Sequence, residues 1–107
     1  MSYRPSAKHL KGQPVVYMLE CRGGSLYTGW TNDFSGRLAA HSSGKGGKYT
    51  RSRLPVKPVY LELAADRNDA LQREAAIKKL PPSKKRELLS SPLNIADRFD
   101  FSDQSDV

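Results

Sequence analysis

Glu74 is the residue whose type and setting most invite chemistry. A helix from about Ala70 to Leu80 would project its carboxylate between Ala70, Leu71 and Ile77, away from Gln72 and Lys79. A lone carboxylate on a core-facing arc needs a partner, because burying an unpaired charge is costly. One answer is an ion pair with a nearby Arg or Lys. The other is a hard divalent cation, which takes oxygen donors and often keeps several waters. Arg37 and His41 stand four residues apart, bordering the apolar pair Phe34 and Leu38. That spacing predicts an Arg and a titratable His held at a helix–sheet seam. Tyr17 and Tyr27 fall in strand-like runs, where tyrosine commonly serves packing alone. Taken singly, Arg37 could pair with an acid and His41 could cap its helix, so none of these residues decides the matter.

The elements that must position them follow from local pattern. Val15 to Cys21 is rich in β-branched and aromatic residues, Arg22-Gly23-Gly24-Ser25 is turn chemistry, and Leu26 to Trp30 resumes the strand pattern. This predicts a β-hairpin. A three-residue loop with a left-handed Gly would put Tyr17 and Tyr27 on one face, and a two-residue loop would separate them. Thr31-Asn32-Asp33 offers N-cap residues for a helix from Asp33 to about Ser42. Residues 44–53 (GKGGKYTRSR) read as a glycine-rich basic loop, and Val56 to Leu63 as a third strand in which Pro58 suggests an edge. Asp66 to Asp69 supplies caps for the helix carrying Glu74, and Pro81-Pro82 stops it. A further short helix with Ser83 as its cap runs to Leu89.

The 107 residues fit one domain. We expect residues 1–13 to be a flexible arm, 14–91 the folded domain, and 92–107 an acidic, disordered tail. Eighteen Lys and Arg against eleven Asp and Glu give a net charge of +7. The tail carries −3, so the remainder carries about +10. A body that positive attracts phosphate polyanions, although solubilising surface charge is the plainer explanation. No long apolar run or anchored amphipathic helix points to a membrane. Cys21 is the only cysteine, which excludes an intramolecular disulfide and a cysteine-based zinc site. It reads as a small core residue rather than a nucleophile. With no apolar secretory region at the N-terminus, a cytoplasmic setting is expected.

The whole constellation is more specific than its parts. Val15-Val16-Tyr17, a short turn, Tyr27-Thr28-Gly29, Arg37 and His41 on a helix, then Glu74 on a later helix resembles the GIY-YIG nuclease pattern. TGWTND, RLAAH, GKGGKYTRSR and LQREAAIKKL extend the resemblance over about Val15 to Leu80. It is most similar to the small stand-alone bacterial members. The resemblance implies an α+β fold, a three-stranded antiparallel sheet flanked by helices. It also implies hydrolysis of a DNA phosphodiester with one Mg²⁺ or Mn²⁺. Tyr17 then matches the first motif tyrosine, the family's favoured general base. Tyr27 matches the second, Gly29 closes that motif, Arg37 matches the helix arginine, His41 the adjacent Tyr-or-His position, and Glu74 the metal-binding glutamate. A phenol near pKa ~10 needs activation, and a His near ~6.5 could supply it. Arg37 would neutralise charge building on the phosphoryl oxygens.

Lys45, Lys48, Arg51 and Arg53 would grip the backbone, with Tyr49 among them to stack on a base or sugar. Val15, Val16 and Thr28 depart from the motif's name but suit a strand, and Trp30 is large for its place. Some members use a late Asn; residues 81–93 contain none. The expected function is a metal-dependent endonuclease in DNA repair or processing, structure-selective or single-strand-preferring. The alternative is a nucleic-acid-binding module that keeps the fold with little or no cleavage. DNA is the expected partner with RNA still open, and the chain is expected to be a monomer.

Overall fold

The run Val15-Val16-Tyr17-Met18-Leu19 lacks polar alternation because both of its faces are covered. In the computed structural model, which describes residues 3–101, all five side chains are buried in the central strand. That strand, β1 (Val15–Glu20), pairs antiparallel with β2 (Leu26–Thr31) on one side and β3 (Lys57–Leu63) on the other. Helices α1 (Phe34–Ser42), α2 (Lys48–Arg51), α3 (Arg67–Lys78) and α4 (Pro82–Leu88) complete the α+β architecture.

Val15, Tyr17, Leu19 and Leu61 face α1, where they meet Phe34 and Leu38. Val16, Met18 and Tyr60 face α3 and pack on Ala70 and Ile77. The hairpin takes the three-residue option. Cys21 N–H donates to the Ser25 carbonyl at 2.9 Å, leaving Arg22 to Gly24 as the loop, with Gly24 at φ +93°. Tyr17 therefore lies opposite Gly29 and Leu19 opposite Tyr27, which puts both tyrosines on the α1 face. Asp33 caps α1 through the Gly36 N–H, and Asp66 caps α3 through the Asp69 N–H. Pro58 lies in an edge strand, as its missing N–H requires.

Three expectations need correction. Residues 7–10 are no flexible arm: they form a 3₁₀ turn whose Ala7 and Leu10 are buried against α1. The segment after Pro92 is packed as far as Phe101. Asn94 Nδ2–H donates to the carbonyls of Val59 and Leu89, and its Oδ1 accepts from the N–H of Leu61 and Ala96. Phe101 stands 5.7 Å from Phe34, centroid to centroid. Polar composition concealed these apolar anchors spaced between aspartates; the disorder expected for 102–107 lies outside the described residues. Lastly, α4 starts at Pro82 rather than being capped by Ser83, since proline at a helix's first position gives up an N–H that has no partner anyway. Among the described residues no helix is long and apolar enough to cross a membrane.

Candidate functional site

Beside β2, three of the side chains singled out from the sequence, Tyr17, Tyr27 and His41, come together. Tyr17 comes from the central strand and is 1% exposed. Its hydroxyl lies 2.9 Å from His41 Nε2, and His41 is as deeply buried. Gly29 makes this possible: a Cβ on it would come within 2.6 Å of the Tyr17 hydroxyl. The missing side chain is the space the phenol occupies. His41 Nδ1 in turn lies 2.9 Å from Thr50 Oγ1. Gly46 closes over the imidazole so tightly that a Cβ there would overlap Nδ1 and stand 2.8 Å from the His41 Cα.

Thr50 is the residue that sequence reasoning missed. The stretch expected to be an adaptable loop contains the one-turn helix α2, and Thr50 is its buried member. Nothing in a Gly-rich basic run marks one threonine as inward; its spacing of nine residues from His41 fits no helix or strand period. The remaining loop residues divide. Lys45, Lys48 and Arg51 are exposed and make no ion pair among the described residues. Arg53 is half-buried, its guanidinium 3.8 Å above the centre of the Tyr49 ring and donating to the Tyr49 carbonyl. Tyr49 stands 5.9 Å from Tyr27, and Tyr27 5.1 Å from His41.

Arg37 and His41 share a helix and part company. His41 points inward, whereas Arg37, one turn earlier, is exposed and its guanidinium makes no hydrogen bond or ion pair among the described residues. The seam expectation holds for the imidazole and fails for the guanidinium. Its charge is still felt inside, pulling the Tyr17 phenol down and the His41 imidazole down. Burial is the larger influence on both. It drives Tyr17 far above the ordinary phenol value, with Tyr27 and Glu74 pushing the same way, and holds His41 below the ordinary imidazole value. Near neutrality both groups are therefore uncharged.

Glu74 reaches this edge from α3, on the other face of the sheet. Its side chain is 18% exposed, and Lys78 Nζ lies 3.5 Å from Oε2. The plainer expectation, an ion pair with a nearby cation, is thus realised; the carboxylate is nonetheless close enough to act on Tyr17. Among the described residues no three His, Cys, Asp or Glu cluster to hold a metal ion. A cation here would have Glu74 as its protein ligand and fill its other positions with water and phosphate oxygens, a donor set that suits Mg²⁺ or Mn²⁺ and not a closed zinc site.

Other residues resolve more simply. Cys21 is buried and burial pushes its thiol up, which fits a core residue. Trp30 packs against the α3 side of the sheet, with Arg67 5.9 Å from its ring centre. Asn94, just past residues 81–93, binds the β3 side and not the β2 edge. A cleft of about 560 Å³ is also on the β3 side, bounded by Pro58, Val59, Asn94 and Phe99, away from this chemistry.

Known proteins resemble this chain in sequence and in fold. A family model described as the GIY-YIG catalytic domain matches residues 13–87. The chain is similar to a UPF0213 protein of Clostridium perfringens (strain 13 / Type A), 51% identical over 76 residues, which span 71% of this chain and 82% of that relative. A UPF0213 protein of Streptococcus pneumoniae serotype 4 is 51% identical over 75 residues, covering 70% and 76% respectively. The solution NMR structure of a UPF0213 protein from Bacillus halodurans is 41% identical and covers 76% of this chain and 86% of its own, with a TM-score of 0.51.

Proposed function

This chain belongs to the GIY-YIG family of nucleases, and on that premise we propose that it is an endonuclease hydrolysing DNA phosphodiester bonds with one Mg²⁺ or Mn²⁺. The observation that carries this reading is the hydrogen-bonded series Tyr17–His41–Thr50, on which the charges of Arg37, unpaired among the described residues, and of Glu74 both bear. A role in DNA repair or processing goes with it, as does a monomer in the cytoplasm.

The proton route follows from the pairing. If His41 Nδ1–H donates to Thr50 Oγ1, then Nε2 is free to accept the Tyr17 O–H. Tyr17 keeps lone pairs on its oxygen for a water. As that water attacks phosphorus, its proton passes to the Tyr17 oxygen while the phenolic proton passes to His41. The buried phenol is hard to ionise, so handing on its proton in the same motion avoids a bare phenolate. Arg37, unclaimed by any acid among the described residues, meets the phosphoryl oxygens with its planar fork as their charge grows. Tyr27, beside His41, contacts the phosphate or the nucleophile. Glu74 would hold the cation, which when bound polarises the phosphate and steadies the leaving 3′ oxygen. Lys45, Lys48 and Arg51 grip flanking phosphates without regard to sequence.

A second reading, binding with little cleavage, draws on Lys78, which already neutralises Glu74 at 3.5 Å. The two separate on plasmid, single-stranded and branched DNA incubated with Mg²⁺, Mn²⁺ or EDTA. The nuclease reading expects EDTA-sensitive nicking that disappears in Glu74→Ala, with DNA affinity equal or higher because a negative charge near phosphate has gone. Cleavage that persists in that variant would remove Glu74 from the metal site.

A further inference from the structure

A second cleft lies between the β1–β2 turn, α2 and α4, with a volume of about 230 Å³. Its lining is Ser25, Leu26, Tyr49, Pro82, Lys85 and Arg86: an aromatic ring, two apolar walls and a cationic rim. The three consecutive cations of α4 differ in what holds them. Lys84 pairs with Glu87 at 3.4 Å. Arg86 donates to the Gly24 carbonyl and stands 3.7 Å from Glu20. Lys85 is half-buried and lines the cleft, and its side chain makes no hydrogen bond or ion pair among the described residues. A half-buried ammonium with no acid beside it suits an incoming anion.

Tyr49 supplies the complementary surface. Arg53 lies over its ring but does not line the cleft, whereas Tyr49 itself is exposed and does. The cleft also adjoins the proposed chemistry. Tyr49 touches Tyr27 at 5.9 Å and Tyr27 touches His41 at 5.1 Å, centroid to centroid.

A ring that can stack beside an unpaired lysine is the combination that holds a base and its phosphate on a single strand. We propose that this cleft is a subsite for one unpaired nucleotide flanking the scissile phosphate, its base stacked on Tyr49 and its phosphate on Lys85. The subsite rests on the nuclease reading and deepens it, because a base pair does not fit: the nucleotide must be extruded or already single-stranded.

The test uses the full chain in EDTA, with a short oligothymidylate carrying one central 2-aminopurine, alone and in duplex. The single strand is expected to lose fluorescence on binding, and the duplex is not. Tyr49→Ala should abolish the quench and weaken single-strand binding roughly tenfold, whereas Tyr49→Phe keeps both. Lys85→Ala should lower the slope of log affinity against log salt by about 0.7 on the single strand. Lys84→Ala, whose cation is tied to Glu87 outside the cleft, should leave that slope almost unchanged. Equal losses for the two lysines, or quenching that survives in Tyr49→Ala, overturn the subsite. A wild-type chain that nicks DNA with Mg²⁺ but shows no quench refutes the subsite alone. Quenching with no nicking in any divalent cation refutes the nuclease reading alone.

Discussion

Tyr17 and Tyr60 are buried tyrosines on adjacent strands of one sheet, facing opposite ways, and they are built into opposite kinds of site. Tyr60 O–H donates to Glu62, and both Glu62 oxygens accept from Arg73 Nε at 3.1 and 3.0 Å. Burial, with the Glu62 hydrogen bond, pushes this phenol up to about 12. Every charge in the cluster has its counter-charge inside it. Tyr17 instead meets a neutral imidazole, and the charges that bear on it, Arg37 and Glu74, stand at the rim. Burial alone does not make a tyrosine reactive. A network whose charges are already matched is finished, while one that leaves an oxygen and a cation open has room for water and phosphate.

The closed cluster still serves the open one. Arg73 immediately precedes Glu74 on α3, a helix that fully buries only Ala70 and Ile77. Two apolar contacts fix a helix's roll poorly. The Arg73–Glu62 pair, joined by Tyr60, sets it, and so aims Glu74 toward the β2 edge.

The contrast breaks first at Tyr17. Tyr17→Phe is expected to slow cleavage by about 10²- to 10⁴-fold, the range for one positioned acid–base group, and to cost about 1 kcal/mol of stability. Nicking at the wild-type rate would reduce Tyr17 to a packing residue. On the closed side, Glu62→Ala should cost about 3 kcal/mol in urea denaturation. That is the low end for breaking a buried pair, because 33% of the Arg73 side chain is exposed. A loss below about 1 kcal/mol would mean the cluster is not what holds α3.

Thr50→Val probes the tautomer. With no acceptor at Nδ1, the neutral imidazole no longer prefers to leave Nε2 free, and single-turnover cleavage should fall about tenfold, or about 1.4 kcal/mol of barrier. An unchanged rate would detach Thr50 from the proton route. The smallest effects are those of pH, and they differ in sign at the two ends. His41 is held below the ordinary imidazole value by burial and then by Arg37, so cleavage should keep its full rate to below about pH 6.5. The unfolded chain takes up that proton first, so stability should fall as pH drops through this window. Tyr60 works in reverse: its contribution is complete below about pH 10, where unfolded phenols ionise, and is lost as pH rises toward about 12. Thermal unfolding across both ranges checks the two slopes, and His41→Gln should flatten only the acid one.

Much of this arrangement was legible before the fold. Asp33 and Asp66 announced their helices because capping is local chemistry. Helical spacing put His41, with Arg37, on the border of the Phe34–Leu38 stripe, and the imidazole alone turned inward. Tyr27 was half-legible, since its face depended on whether the loop held two residues or three. Glu62 shares inward parity with Tyr60, two residues before it, but its partner Arg73 lies eleven residues on, where no period connects them.

The linear chain by itself determined the hairpin, the helix carrying Arg37 and His41, the helix carrying Glu74 and a strongly positive body, because caps, turns and periodicity act over a few residues. Tertiary structure alone decided that Tyr17 crosses the gap at Gly29, that Thr50 grips His41, that Arg37 faces out, and that Lys85 is the unmatched cation of its row. Those outcomes depend on which distant groups share a small volume. Close packing and the matching of buried charge settle that only when every element is in place.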